Sequence, residues 1–169
     1  MRSSNSLPAF LLALRQSIVA RNIVPDVCCQ LSTEERFMEY VAGQYVIMII
    51  PRAIKPEDQG GEGQNEVILK GTLTFRILSL NALDVATSDV VALTDDGSTT
   101  GIYVLFTNLL QVIRFWDLAD AAGNAYLVQP LRLASGLTQP RRHEKHQQYV
   151  YCDVDAEYKI CIATGGSAK

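Results

Sequence analysis

At 169 residues and a formal net charge of −3, the chain has the length of one domain with a substantial core. Its 48% hydrophobic and 20% charged residues are those of an ordinary globular protein. The acidic balance argues against coating of nucleic acid, and no apolar run approaches the roughly 20 residues needed to span a bilayer.

Arg2 followed by LPAFLLAL looks like the opening of a signal peptide. Arg15 and Gln16 interrupt that run, and Leu7, Phe10, Leu11, Leu14 and Ile18 recur at helical spacing. The pattern predicts an amphipathic helix that stays in the mature protein. Residues 25–31 read as a short strand, with Val27, Cys29 and Leu31 alternating. Ser32 and Glu35 form a capping-box pattern, so a short helical turn should follow, with Phe37, Tyr40 and Val41 on its apolar side. QYVIMII, residues 44–50, is apolar almost throughout, as suits a strand covered on both faces, and Pro51 is expected to end it.

Next comes KPEDQGGEGQNE, residues 55–66, with no aliphatic or aromatic side chain and three glycines. Four acids (Glu57, Asp58, Glu62, Glu66) stand against Lys55, so the segment alone accounts for the net charge of the chain. It can bury too little surface to offset its ordering entropy and should be mobile when free. Long loops of this kind inside a compact domain are uncommon and often functional, which makes a docking arm the expectation and a tolerated insertion the alternative.

Beyond the arm, Val67, Leu69, Leu73, Phe75 and Ile77 share one strand face, while Lys70, Thr72, Thr74 and Arg76 take the other. Gly71 falls on the apolar face and marks a bulge or a close backbone approach. The two strands and the arm form a long hairpin with an extended tip. Residues 81–93 favour neither helix nor strand. Asp95-Asp96-Gly97 signals a turn, and Ser98, Thr99 or Thr100 can cap the helix spelled by Ile102, Leu105, Phe106, Leu109, Val112, Ile113 and Trp116. Trp116, with Leu109 and Ile113, should anchor that helix on the sheet, and Gly123-Asn124 marks the turn after it.

Residues 127–134 read as a strand interrupted by Pro130, hence an edge strand, and residues 135–148 are polar, basic and expected to be exposed. In the last block Val150, Cys152, Val154, Ala156, Tyr158, Ile160 and Ile162 line one face. Tyr149, Tyr151, Asp153, Asp155, Glu157 and Lys159 line the other. That is one long strand or a tight hairpin of two, with residues 164–169 fraying.

Chemistry-bearing residues are sparse. Cys28, Cys29, Cys152 and Cys161 include no Cys-x-x-Cys pair, and adjacent cysteines on a strand would face opposite sides. Buried free thiols in a reducing compartment are expected. His143 and His146 lie in RRHEKH without the His-Glu-x-x-His spacing of zinc proteases, so a solvated basic loop is the better reading. Arg141, Arg142 and Lys145 form a basic contact patch for phosphate or an acidic protein surface, with no aromatic to stack bases before Tyr149. Asp153, Asp155 and Glu157 suggest a wet strand face rather than a catalytic pair. No nucleophile elbow, phosphate loop or dinucleotide fingerprint is present. Catalytic, cofactor-binding and metal-binding residues are therefore assigned to none of these positions, and no enzyme is expected.

The order of elements predicts a single α+β domain over residues 1–169: a small, largely antiparallel sheet, two main helices on one face, and the hairpin arm. This order resembles the tail terminator (tail completion) proteins of long-tailed bacteriophages. The resemblance rests on the helix LPAFLLALRQSIVARN, the hairpin QYVIMII…VILKGTLTFRILSL, the helix GIYVLFTNLLQVIRFW, the block LVQPLRLASG and the strand YVYCDVDAEYKICI. It covers roughly Leu7 to Ile162 and is a match of architecture rather than of motif.

The resemblance implies a structural virion protein, assembled in the host cytoplasm, that caps the tail tube as a hexameric ring and joins tail to head. Its partners would be other copies of itself, the tube protein and neck or connector proteins, with transient contact to DNA passing through the ring. Neither a cofactor nor a membrane is implied. The long terminal strand would offer an edge or face for building the ring. A neck or head-completion protein of the same assembly is the alternative, followed by a small cellular binding module with the arm as ligand loop. An enzyme using Asp153, Asp155 or His143 is the remaining class.

Overall fold

The computed structural model describes residues 6–32, 45–57, 66–80, 101–114, 118, 123, 125–142, 144 and 149–163. The helical turn expected after Ser32, residues 81–100, Trp116 and the C-terminal tail lie outside them.

Helix α1 spans Leu7–Ala20. Its N-cap Ser6 accepts a hydrogen bond from the Ala9 N–H (3.3 Å), and Pro8 fits the first turn, where no N–H is needed. Phe10, Leu14 and Ile18 are fully buried, which is the face that the helical spacing marked. Asn22 leaves the helix at φ 55, a left-handed conformation that asparagine tolerates.

The strand expected from Pro25 is shorter than its alternation suggested. Residues Asp26–Cys28 curl into a 3-10 turn, and only Cys29–Leu31 form strand β1. The cause is Arg15 of α1, whose guanidinium donates to the carbonyls of Cys29 (2.8 Å) and Asp26 (2.9 Å). It also pairs with the Asp26 carboxylate at 2.8 Å. Val27 is thereby turned outward and left 60% exposed.

Strand β2 runs Tyr45–Pro56 and does not end at Pro51. Strand β1 lies parallel to it from Cys29↔Ile47 to Leu31↔Ile49, and the Ile49 carbonyl accepts from Ser32 N–H (3.2 Å). Two residues on, Pro51 directs its nitrogen to the same side, where β1 has already stopped. Among the described strands the missing N–H therefore costs no ladder bond. A bulge follows between Pro51 and Ile54, after which pairing resumes with strand β3, Glu66–Leu80.

Helix α2 spans Ile102–Arg114, and strands β4 (Arg132–Leu133), β5 (Arg141–Arg142) and β6 (Tyr149–Ala163) complete the described elements. The sheet order is β1-β2-β3-β6-β4, with β5 also on β6, and every pairing except β1–β2 is antiparallel. Strand β6 is one unbroken strand of 15 residues. It sits between β3 and the β4–β5 segment, so the sheet edge expected of it belongs to other strands.

The α+β architecture follows from these two layers. Phe10, Leu14, Ile18, Ile102, Leu105, Leu109 and Ile113 of the helices pack on Ile47, Ile49, Leu73, Phe75 and Ile77 of β2 and β3. All seven alternating apolar residues of β6, from Val150 to Ile162, join the same cluster. On the opposite face Val46, Met48, Ile50, Leu78 and Tyr149 form a second, smaller cluster. This is why QYVIMII carries no polar alternation: β2 is buried on both sides.

Gly71 is a close approach. A β-carbon there would stand 2.2 Å from Cζ of Tyr158, whose ring is held from elsewhere by Phe10 at 4.8 Å between centroids. Among the described residues the buried Tyr158 hydroxyl has no hydrogen-bond partner, and burial raises its pKa. Gly71→Ala should therefore destabilise the fold by about 1–3 kcal/mol through overpacking. Tyr158→Phe removes only the unpartnered oxygen and should change stability by less than about 1 kcal/mol. Denaturant unfolding of the two variants checks the contrast, and equal losses would refute it.

Candidate docking surface

The β2–β3 ladder continues beyond the bulge through Ile54↔Gly71, Lys55↔Lys70 and Pro56↔Leu69. It closes with a hydrogen bond from Glu57 N–H to the Ile68 carbonyl (2.9 Å). Lys55 and Glu57, expected in the arm, thus belong to the paired strands. Glu57 also meets the Lys159 ammonium at 2.5 Å, a partner that sequence spacing could not reveal across 102 positions. Glu66 opens β3 with its backbone in register with Ala163. Asp58 and Glu62 lie outside the described residues, which narrows the segment between paired backbones to residues 58–65.

Along the face turned away from the helices, the β3–β6 register sets Arg76 opposite Asp153 and Thr74 opposite Asp155, while Lys70 stands opposite Lys159 and reaches diagonally. Arg76 holds Asp153 through two bonds (2.7 and 2.8 Å), and its guanidinium lies 4.5 Å from the Tyr151 ring centre. Thr74 donates to Asp155 Oδ1 (2.6 Å) and accepts from Arg52 Nε (3.0 Å). Lys70 reaches Glu157 at 3.5 Å. The expected wet face is therefore wet only in part: Thr74 and Arg76 are buried, and Asp153 and Glu157 are half-buried. The three carboxylates considered for catalysis serve as cross-strand partners.

The free side of β6 is followed by residues 127–142 in broken pieces. Leu127 bridges Ile160, and Val128 N–H donates to the Lys159 carbonyl (2.9 Å). Past Pro130, β4 sets Arg132 opposite Glu157 and Leu133 opposite Ala156. Ser135 Oγ and Thr138 Oγ1 then accept the N–H groups of Asp155 (3.1 Å) and Asp153 (2.9 Å), where a regular strand would offer carbonyls. Strand β5 closes the edge with Arg141↔Tyr151 and Arg142↔Val150.

As successive strand residues, Arg141 and Arg142 leave on opposite faces, so they do not form one patch on one face. Both are exposed, and the structure adds exposed Arg132 to the same edge. The sequence signal for Arg132 was its place in the strand interrupted by Pro130. Lys145, His143 and His146 lie outside the described residues.

All four cysteines are buried and outside any disulfide, and Cys28 and Cys29 share the helix-side core instead of facing opposite sides, because Cys28 ends the 3-10 turn. Burial pushes the Cys29 thiol up to about 12 and the Cys152 thiol up to about 11. A groove of about 720 Å³ lies between Thr107, Leu110 and Gln111 of α2 and the edge residues Pro130, Leu131 and Leu133. Among the described residues, no cluster of three or more His, Cys, Asp or Glu could hold a metal ion. None of their helices is long and apolar enough to cross a membrane. No family model matches the chain, and no curated protein matches it.

The polar pairs differ in burial, and their stabilities should differ accordingly. The side chains of Arg76 and Asp153 are 8% and 19% exposed, whereas those of Lys70 and Glu157 are each 36% exposed. Arg76→Ala should cost about 3 kcal/mol, and Glu157→Gln less than about 1 kcal/mol. Denaturation of the two variants measures both, and a cost for Glu157→Gln as large as that for Arg76→Ala would refute the ranking.

The thiols give a pH dependence. Burial makes the folded state hold the Cys29 and Cys152 protons more tightly than the unfolded state, where the ordinary value is 9.0. Their contribution is complete below that pH and is lost as pH rises toward about 12 for Cys29. Urea midpoints should fall across the alkaline range, and Cys29→Ala should flatten that fall. An unchanged slope in the variant would contradict the assignment.

Proposed function

We propose that this chain is a structural subunit of a long-tailed phage particle, of the tail terminator type, which caps the tail tube as a ring and connects it to the head. The observation that carries the reading is the element order. A helix, a long hairpin, a second helix and a long closing strand are arranged as two helices over one sheet face. This is the order on which the resemblance to tail terminators rests.

The geometry supports a docking subunit in two respects. The β2–β3–β6 ladder extends as far as Glu57, Glu66 and Ala163 and so forms a stiff support for the acidic segment 58–65. Asp153, Asp155 and Glu157 of β6 are committed to cross-strand pairs with Arg76, Thr74 and Lys70, which suits a role in assembly. A neck or head-completion protein would share these features and differ in its partner, the portal side in place of the tube.

Symmetry in electron micrographs of tails, or the mass of the particle-bound form, tests the ring. Six copies per tail end are expected, and an isolated copy in a purified tail would sink the proposal. Location on the portal side would select the neck reading.

Replacing residues 59–64 by a Gly-Asn turn should leave the melting temperature nearly unchanged, because the pairs from Glu57 inward remain. The same change should block attachment and leave tails headless or of aberrant length. Normal yields of infectious particles from the shortened chain would make the segment a tolerated insertion.

A further inference from the structure

We infer that the arginine edge formed by β4 and β5 is a docking surface for the acidic hairpin end of a second copy of the chain. Exposed Arg132, Arg141 and Arg142 lie on this edge. Between Arg132 and Arg142 the sequence carries no acid, and Glu144 is the first to follow. At the hairpin end the same sequence carries Asp58, Glu62 and Glu66, beside a Glu57 already held by Lys159. The two charge groups are opposite in sign.

They also lie at opposite ends of one sheet. Arg141 is paired with Tyr151 near the start of β6, and Glu66 with Ala163 at its end. That separation is about 40 Å along the strand. Residues 58–65 are tethered at Glu57 and Glu66, so even fully extended they reach only about 13 Å beyond the ladder. A copy cannot lay its own acids on its own Arg141 and Arg142, but a neighbour can.

The edge suits side-chain pairing better than strand addition. It is interrupted at Pro130 and by the side-chain bonds of Ser135 and Thr138, so it presents no regular backbone template. Arg141 and Arg142 depart from opposite faces, so an acidic segment crossing the edge meets a guanidinium on either side. Nucleic acid is a poorer occupant, because a chain of net charge −3 repels it overall.

The contact deepens the ring proposal, on which it rests for its symmetry, but it can be measured without the particle. Sedimentation velocity of the full chain should show self-association at low ionic strength that is lost in about 0.5 M salt. Arg141→Glu with Arg142→Glu should weaken association at least about tenfold, as should Asp58→Lys with Glu62→Lys. A chain carrying all four reversals should associate again, as should an equimolar mixture of the two reversed chains. Restoration separates charge pairing from damage to the fold.

A wild type that stays monomeric at low salt and high concentration would overturn the contact. So would four reversals that fail to restore association, or an edge reversal that abolishes binding to duplex DNA and leaves self-association intact. Rings on tails formed by a chain that fails these tests would leave the ring reading standing. Charge-paired association without rings on tails would support the contact and defeat that reading.

Discussion

The antiparallel register of β3 against β6 governs both faces of the sheet, because it runs without a break from Glu66↔Ala163 to Leu80↔Tyr149. On the helix side it sets Leu73, Phe75 and Ile77 beside Ala156, Val154 and Cys152, where α1 and α2 cover them. On the other side the same register sets Thr74 opposite Asp155 and Arg76 opposite Asp153. A slip of one residue would exchange the faces, burying carboxylates under the helices and exposing the apolar row. The polar partners are 77 and 81 positions apart in the chain, so loop closure must be met before these contacts form. Such non-local pairing belongs to slower-folding topologies.

Each side of the sheet also limits how further chains could add to it. On one side β1 is three residues long, and Arg15 occupies the outward carbonyl of Cys29. Where β1 stops, β2 continues with Pro51, a bulge, exposed Arg52 and Lys55, and Pro56. On the other side, residues 127–142 follow β6 in short pieces around Pro130. Prolines, bulges, short strands and charges are the features by which edges resist pairing with other chains. Assembly through faces or side chains is more compatible with this sheet than extension of its ladder.

Much of the fold was legible because periodicity is local. The spacing of Phe10, Leu14 and Ile18 and the alternation from Val150 to Ile162 each named the face that is buried. What escaped detection depended on contacts distant in sequence. The turn at Asp26–Cys28 follows from a guanidinium on α1. The continuation of β2 through Pro51 depends on where β1 ends. The inclusion of Glu57 in the paired region depends on Lys159. Alternation marked β6 as a strand with one apolar face, but it carries no information about neighbours, so its central place was not visible. The candidate surface was legible as charge along the chain, whereas the membership of Arg132 and the opposite facing of Arg141 and Arg142 required the sheet.

Alternation also leaves one register ambiguity that the structure removes. A slip of two residues keeps apolar groups on the helix side, and it still brings Arg76 or Lys70 near one of the carboxylates at 153, 155 and 157. The apolar and ionic patterns therefore tolerate that error. Gly71 does not, because Tyr158 needs a position without a β-carbon beneath its ring. Two residues either way, the ring would lie on Leu69 or Leu73, both of which carry side chains on that face. The bulge in β2 ends at Ile54, directly opposite Gly71, so the neighbouring strand changes course at the same level. A single glycine thus selects the register among the even slips, and the ends of the β2–β3–β6 ladder, where segment 58–65 is attached, are set by that choice.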